Sequence, residues 1–397
     1  MPSANAPDPV TWVEIDRNAL HHNLAVLGAA AGHGGPSPCL CVMVKGNAYG
    51  HGMLTVAREV AAVGSAWLGV HDLREIEELR AAGLAAPIYA VGYLPPAQVA
   101  RAVALDARVV VYDPEVVAAA AAAARALGKV ARVHVKVETG NNRQGLRHDD
   151  AIALARVIAA EPALYLEGVC THFADIEDTT DHRFAHQQLD RFRACTDAIR
   201  AVLPTGHRML VHASNTAALL LWPEVCGDLV RCGIGAYGLW PSKETLLSVR
   251  QQGKAPVELR PVLTWKTIIA QVREVPAGEY LGYGRTFRAV RPMRIAILPI
   301  GYYDGYDRGL SNVGKVLVGG QRAPVVGRVA MNMTAIDVTD SPQARAGSEV
   351  VLLGSQAGAQ SLEGDRISAE EFASWIGTIH YEVVTRIAER IERRVIG

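Results

Sequence analysis

The sequence has no excess of charge of either sign, and it contains no long apolar run. Its 40 Lys and Arg residues balance its 40 Asp and Glu residues, and no basic block stands out. A nucleic-acid partner is therefore not expected, because backbone phosphates demand clustered cations. No apolar run reaches the ~20 residues that a membrane-spanning helix needs, so a membrane protein is not expected either. The opening MPSANAPDPV lacks the cationic and apolar regions of a secretory signal.

Cysteine is scarce as well, since the 397 residues include only 6 Cys and no C-x-x-C pair. A disulfide framework is therefore not expected, and a reducing cytoplasm is the expected location. Cys39 and Cys41 share one apolar run and are predicted to be buried thiols. Hydrophobic residues make up 50% of the sequence, which is enough for a sizeable core, and the length favours about two domains.

Short apolar runs alternate with helical stretches in the first part of the sequence. The predicted strands are Leu40–Val44, Ala66–Val70, Pro87–Val91, Ala107–Val111, Ala131–Val137, Tyr165–Cys170, Arg208–His212 and Leu229–Arg231. The predicted helices include Met53–Val63, Asp72–Ala82, Pro114–Leu127 and His182–Val202. Alternating strands and helices build parallel sheets, and eight such units close into a barrel. We therefore predict an α/β fold, a (β/α)8 TIM-type barrel, over residues 16–255.

A second, β-rich domain is predicted for residues 256–397, where strand-like runs are separated by Gly and Pro. The strand near residues 10–15 is expected to join this domain. Only Ala369–Ile376 and the last residues of the chain are expected to be helical.

One predicted barrel strand is unusually polar. In ARVHVKVETG, the side chains of Arg132, His134 and Lys136 alternate with valines. A period of two places the polar set on one face of the strand. With the valines packed against the helices, the charged set points into the barrel. Interior charges are costly unless they are paired or used, so this strand is expected to line a polar site.

The segment VMVKGNAYGHG carries the strongest chemical signal. An apolar strand ends at Lys45, and glycines follow at positions 46, 50 and 52. Strand ends form the catalytic face of a barrel, and a lysine desolvated there becomes a nucleophile for a Schiff base. From these residues alone, a solvated lysine after a strand remains the alternative.

The string VKGNAYGHG resembles the lysine motif of the alanine racemase family, whose members use pyridoxal 5'-phosphate (PLP). The resemblance implies that Lys45 holds PLP covalently and is one of two bases, and that Tyr49 lies near the cofactor phosphate. KVETGNNRQGL is similar to the family segment KVDTGM-x-R-x-G, which implies that Lys136 is carbamylated and that Arg143 contacts the carbamate and the substrate. Glu138 and Asn141 depart from the usual Asp and Met.

Three more segments, THFADIED, HASNTAALL and VRCGIGAYGLWPS, resemble cofactor-binding segments of the family. The resemblance implies that His172 lies beside the cofactor ring and that Arg231 faces the pyridine nitrogen. It assigns Asn215 to the cofactor site, and it assigns Thr216 and the backbone amides of Gly233 and Ile234 to the phosphate. A permanent cation at the pyridine nitrogen disfavours its protonation and weakens the ring as an electron sink. We therefore expect proton exchange at Cα rather than transamination.

The predicted second domain carries the remaining assignments. GEYLGYGRTF resembles the family segment with the second base, here Tyr283, and a racemase needs one base on each face of a planar intermediate. The resemblance also implies that the Met331 amide binds the substrate carboxylate and that Tyr381 contacts the phosphate. It implies a homodimer in which Tyr283 and Met331 enter the partner's active site. Tyr303 and Asn332 stand where the family has a small residue and Asp.

The resulting expectation is interconversion of L-alanine and D-alanine, which supplies D-alanine for peptidoglycan. Three alternatives remain open at this point. One is a racemase for serine or for a broader set of amino acids, and another is a non-catalytic PLP-binding barrel. The third is a metal-dependent aldolase or dehydratase that uses residues from the set His172, Asp175, His182 and His186. We expect no metal, because no third ligand has convincing spacing.

Overall fold

The computed structural model describes residues 9–32, 40–64, 66–254, 256–357 and 365–397. Cys39, predicted to be a buried thiol, lies outside these residues. The chain divides into two compact units. The barrel unit consists of Ala19–Gly46 and Val56–Arg260. The β unit consists of Asn47–Thr55, Pro261–Gly397 and the N-terminal segment that ends at Asn18.

The barrel unit contains a parallel sheet of 8 strands, as the alternating pattern predicted. The strands are Leu40–Met43, Trp67–Val70, Ile88–Ala90, Ala107–Val111, Ala131–Lys136, Leu164–Cys170, Leu210–His212 and Val230–Cys232. The last strand pairs with the first, and a bridge between Asn215 and Arg231 spans the remaining gap. The predicted fold class, a (β/α)8 barrel followed by a β-rich domain, is confirmed.

Helices connect the strands of the barrel unit. They are Arg17–Ala30, Met53–Ala62, Leu73–Ala81, Pro96–Ala104, Pro114–Leu127, His148–Ala160, Arg183–Val202, Thr216–Leu221 and Lys243–Gln251. The alanine-rich helix Pro114–Leu127 shows how local sequence sets its bounds. Asp113 caps its first turn by accepting from the Glu115 N–H, Pro114 takes the first helical position, and Gly128 ends it at φ 61°.

The segment after the first barrel strand has an uncommon backbone. Lys45–Tyr49 forms a single helical turn, and φ is positive at Gly46, Asn47, Ala48 and Tyr49. This turn is therefore left-handed, a conformation that costs an L-residue with a Cβ atom about 1–2 kcal/mol. Strain of this kind persists only where the surrounding structure enforces it, and it concentrates at functional sites.

Gly50, at φ 83°, continues the turn and explains one glycine of the motif. A Cβ atom at this position would lie 1.8 Å from the carbonyl oxygen of Val384 in the same unit. We expect Gly50→Ala to destabilise the protein by about 3 kcal/mol or more, because a backbone clash adds to the positive-φ strain. Urea unfolding measures this loss as a lower midpoint.

Gly83→Ala is the matched control for this substitution. Gly83 has a similar φ of 79°, but a Cβ atom there would meet nothing within 4 Å. Its replacement should therefore cost only the conformational strain, about 1 kcal/mol. Equal losses for the two variants would contradict the packing explanation for Gly50.

The β unit contains two main sheets and a short hairpin. One sheet has the order Gln321–Pro324, Lys315–Val318, Glu349–Gln356, Leu263–Ile268, Thr11–Asp16, Glu392–Ile396, and Asp365–Ile367 pairs with Glu349–Gln356. The second sheet consists of Gln271–Val275, Met293–Leu298 and Thr334–Asp337. The hairpin pairs Tyr280–Leu281 with Phe287–Arg288. The helices of the unit are Ala369–Ile376 and His380–Thr385.

The expectation of helix at the end of the chain is wrong. Glu392–Ile396 is a strand that pairs in parallel with Thr11–Asp16, so a partner distant in sequence decides its conformation. Within the part of the chain that the structure describes, no helix combines the length and the apolarity that crossing a membrane requires.

Candidate active site

Lys45 lies at the carboxyl end of the first barrel strand, where the left-handed turn begins. Burial lowers the pKa of the Lys45 amine, and the positive charge of Arg143 acts in the same direction, while Glu75 opposes both. A lower pKa gives more of the neutral amine that attacks a carbonyl carbon. Glu75, which the sequence reasoning missed, anchors this region by accepting from the N–H groups of Gly46 at 2.8 Å and His71 at 2.6 Å.

Lys136 ends the polar strand Ala131–Lys136. Burial lowers its pKa to about 8, and the positive charges of Arg231 and Arg143 contribute to this shift. Lys136 lines a small cavity together with Glu138, Asn141, Arg143, Gln144 and His172. The structure thus brings Lys136, Arg143 and His172 together around one cavity.

Glu138, one of the two departures in this segment, organises the following loop. Its Oε1 accepts from the Gly140 N–H at 2.5 Å. Burial alone would raise the pKa of Glu138, but the backbone N–H groups of residues 140–143 hold it below its usual range. Asn141 donates from Nδ2 to the Phe173 carbonyl oxygen at 3.3 Å. The two departures therefore support the loop that carries Arg143.

His172 lies just after the strand Leu164–Cys170 and is partly buried. Burial lowers the pKa of its imidazole well below the usual value, and Lys136, Arg231 and Arg143 lower it further. The ring is therefore neutral at physiological pH, which suits stacking against a flat ring rather than proton transfer.

Thr216 and Asn215 sit where the strand Leu210–His212 leads into the helix Thr216–Leu221. Asn215 caps this helix by accepting from the Ala218 N–H at 2.9 Å, and it donates to Glu177 at 2.7 Å. The hydroxyl of Thr216 is buried, and it has no hydrogen-bond partner among the described residues. A buried hydroxyl without a partner is uncommon and suits a ligand oxygen.

The turn Ile234–Tyr237 packs directly against Thr216. A Cβ atom on Gly235 would lie 2.4 Å from Cγ2 of Thr216, so glycine is required for this approach. Gly233 and Ile234 stand at the beginning of this 3₁₀ turn, where the first N–H groups lack partners within the turn. The predicted phosphate ligands of the barrel unit therefore lie next to one another.

Arg231 is buried on the last barrel strand, and four hydrogen bonds hold its guanidinium. Nη1 donates to Nδ1 of His212 at 2.7 Å and to the His212 carbonyl oxygen at 3.0 Å. Nη2 donates to the carbonyl oxygens of Thr171 at 2.7 Å and Ala213 at 2.8 Å. Within the described ranges Nε has no hydrogen-bond partner, so one donor of a fixed cation is left for a ligand.

The other predicted site residues belong to the β unit. The rings of Tyr49 and Tyr381 lie 6.2 Å apart. Arg393 donates to the Gly50 carbonyl oxygen at 2.8 Å and to the Ala388 carbonyl oxygen at 2.7 Å, which connects the segment of Tyr49 to the residues that follow the helix of Tyr381.

Tyr283 begins a 3₁₀ turn between the strands of the short hairpin, and its side chain is 74% exposed. Met331 is 55% exposed. Both side chains are therefore accessible to another molecule. Two residues of this unit differ from the family pattern. Asn332 is exposed, and the ring centroid of Tyr303 lies 3.7 Å from the guanidinium carbon of Arg390.

The histidines that suggested a metal site pack against a tryptophan instead. The ring centroid of Trp222 lies 4.2 Å from that of His186 and 5.5 Å from that of His182. Across the described residues, no group of three or more His, Cys, Asp or Glu side chains has the arrangement of a metal site.

Comparison with known proteins gives matches over nearly the whole chain. Residues 15–241 match the family model for the alanine racemase N-terminal domain, and residues 262–395 match the one for the C-terminal domain. The chain is 40% identical to the alanine racemase of Desulfovibrio desulfuricans over 97% of its own length and 98% of that protein. It is 42% identical to the alanine racemase of Syntrophobacter fumaroxidans over 95% of both chains.

Solved structures lead to the same family. The alanine racemase from the D-cycloserine-producing Streptomyces lavendulae superimposes with a TM-score of 0.87 at 34% identity, over 99% of this chain and 98% of that one. The Bacillus anthracis enzyme with bound L-Ala-P gives a TM-score of 0.86 at 32% identity, over 99% of this chain and 96% of that one. The chain belongs to the alanine racemase family.

Proposed function

We propose that this protein interconverts L-alanine and D-alanine with PLP as its cofactor. The observation that carries the proposal is a partly buried Lys45 amine of lowered pKa at the end of a barrel strand, in a chain that matches alanine racemases along nearly its full length. The match to the racemase C-terminal domain argues against a non-catalytic PLP-binding barrel, which has no such domain.

Several features of the barrel unit fit PLP. The unpartnered Thr216 hydroxyl offers a buried donor to a phosphate, and the adjacent turn offers backbone N–H groups. The free Nε–H of Arg231 suits an unprotonated pyridine nitrogen, which accepts a hydrogen bond. Tyr49 and Tyr381 are proposed to add their hydroxyls to the phosphate site. When bound, PLP supplies the electron sink that acidifies the substrate Cα–H.

The chain's own residues then move the Cα proton. Lys45 takes or returns the proton on one face of the substrate, and Tyr283 does so on the opposite face. Arg143 and the Met331 amide orient the substrate carboxylate. The exposure of Tyr283 and Met331 supports a homodimer in which each of these residues serves the partner's site.

A chiral product assay tests the function directly. L-Alanine incubated with the protein and PLP should yield D-alanine, and the same mixture of enantiomers should form from D-alanine. A panel of L-amino acids that includes serine defines the substrate range, since a pocket discriminates weakly between side chains that differ by one small group. Absence of D-alanine with PLP present would refute the proposal.

The product fits a biosynthetic role in which D-alanine is supplied for peptidoglycan. A reducing cytoplasm is the proposed location, and the described cysteines support it. Cys41, Cys170 and Cys195 are buried thiols that form no disulfide, and Cys226 and Cys232 are buried as well. Buried unpaired thiols are typical of proteins from reducing compartments.

We further propose that Lys136 is carbamylated. Its pKa of about 8 leaves an appreciable fraction of neutral amine to react with CO₂ at neutral pH, and Arg231 and Arg143 provide the positive charge that an anionic carbamate requires. In ¹³C-bicarbonate we expect a carbamate signal in the NMR spectrum, which weakens as pH falls below 8 because the amine is then protonated. The signal should be absent in Lys136→Ala and unchanged in Lys129→Ala, whose lysine is on the surface.

A further inference from the structure

A row of polar side chains crosses the barrel interior from Arg231, which is assigned to the cofactor, to Arg108, which has no assigned role. We call it the interior network, and it consists of Arg231, His212, His134, Glu167 and Arg108. Each member comes from a different barrel strand. Nδ1 of His212 lies 2.7 Å from Arg231, and its Nε2 lies 2.8 Å from Nδ1 of His134. Oε2 of Glu167 lies 3.2 Å from Nε2 of His134 and 3.1 Å from Nε of Arg108.

The Arg231 end of the interior network fixes the proton on His212. A guanidinium only donates hydrogen bonds, so Nδ1 of His212 must accept from Arg231. Burial lowers the pKa of His212 well below its usual value, and the charge of Arg231 acts in the same direction. The ring is therefore neutral with its proton on Nε2, and this proton is donated to Nδ1 of His134.

The contacts at the Glu167 end of the interior network require the same direction of hydrogen-bond donation. Burial lowers the pKa of His134, although Glu167 opposes this shift, so the ring is neutral and carries its proton on Nε2. Burial alone would raise the pKa of Glu167, but the hydrogen bond from His134 and the charge of Arg108 hold it below its usual value. The ionised carboxylate only accepts. One arrangement of protons therefore satisfies every hydrogen bond from Arg231 to Arg108.

We propose that His134 and Glu167 are positioning residues that act through His212 to keep the guanidinium of Arg231 aimed at the cofactor. Without the carboxylate, His134 can carry its proton on Nδ1 and force His212 to carry its own on Nδ1. Two donors would then face each other across the 2.7 Å contact with Arg231. Two facing donors leave a buried polar group without an acceptor, which is costly in the barrel interior. The guanidinium of Arg231 would therefore shift away from His212.

Two substitutions of Glu167 separate this role from packing. Glu167→Gln keeps an oxygen that accepts from His134 and Arg108, whereas Glu167→Leu keeps the approximate volume without an acceptor. We expect Glu167→Leu to lower kcat for alanine about tenfold with little change in KM, and Glu167→Gln to stay within about threefold of the wild type. Glu371→Leu, which removes a carboxylate paired with Arg322 in the β unit, is the control and should leave kcat unchanged.

A second measurement reports the proton positions without relying on activity. In ¹⁵N-histidine spectra of the full chain, with and without PLP, His212 and His134 should both be neutral with the proton on Nε2 near neutral pH. Substitutions of each histidine assign the signals. Glu167→Leu should move part of the His212 population to the Nδ1–H form, and Glu167→Gln should not.

The proposal rests on the proposed function only for the identity of the group that Arg231 faces. If the wild-type protein did not racemise alanine, the proposed function would be refuted. The histidine spectra would still test the hydrogen-bond directions of the interior network. The positioning role is overturned if wild-type His212 carries its proton on Nδ1, or if a folded Glu167→Leu variant keeps both its kcat and its His212 tautomer. It is also overturned if Glu167→Gln and Glu167→Leu lose equal activity. Should Glu167→Leu fail to fold, the wild-type spectra and Glu167→Gln decide.

Discussion

Replacement of Lys45 by alanine is expected to abolish racemisation, with a loss of at least about 10⁴-fold in kcat. Two functions disappear together, because the same amine is proposed to hold PLP covalently and to exchange the Cα proton on one face. The lowered pKa of this partly buried amine, which favours its neutral form, is the physical basis of both functions. Chiral chromatography of the products measures the loss.

Borohydride reduction followed by mass spectrometry tests the attachment of the cofactor separately. The wild-type protein should carry PLP on the peptide that contains Lys45, and Lys45→Ala should carry none there. Lys129→Ala is the control, because this exposed lysine donates to the Ala104 carbonyl oxygen at 2.8 Å and has no assigned role in the site, so the variant should keep full activity. A Lys45→Ala variant that still racemises alanine would remove the assignment.

Replacement of Tyr283 by phenylalanine should separate proton exchange from racemisation. The base on one face is lost, so racemisation is expected to fall by about 10²–10³-fold in both directions. Lys45 remains and continues to remove and return the Cα proton of the one enantiomer that faces it. In D₂O, proton NMR should therefore show deuterium entering that enantiomer with retention of configuration, while the other enantiomer exchanges far more slowly.

Tyr280→Phe provides the matched control for Tyr283. Tyr280 lies in the same hairpin and is 49% exposed, but the centre of its ring lies 5.6 Å from the guanidinium carbon of Arg288. The control should racemise alanine at the wild-type rate. If Tyr283→Phe exchanged the Cα protons of both enantiomers at wild-type rates, the two-base assignment would fail.

The barrel was predictable from sequence because its information is local. Short, mainly apolar runs such as Ala107–Val111, in which Arg108 is the one polar residue, indicate buried parallel strands, and the structure places a strand there with the predicted bounds. The position of Lys45 at a strand end followed in the same way. The sequence motif also contains Gly50, but only the close approach of the Val384 carbonyl oxygen shows why this position requires glycine.

The end of the chain could not be predicted in this way. Glu392–Ile396 is largely exposed and lacks an apolar alternation, so nothing local marks it as a strand. Its conformation depends on pairing with Thr11–Asp16. Similarly, His182 and His186 share a helix face, but their contact with Trp222 became evident only from the packing.

The sequence by itself determined the type and order of the barrel elements, and its motifs were sufficient to nominate Lys45 and Arg231. Only the tertiary structure decided which polar side chains meet inside the barrel, because Glu75, His212 and Glu167 come from separate elements and carry no local signature of their role. The periodicity of a strand fixes which face a side chain occupies. What that side chain contacts depends on the register of strands that are distant in sequence, and it is those contacts that set the pKa of a buried amine and the direction of a buried hydrogen bond.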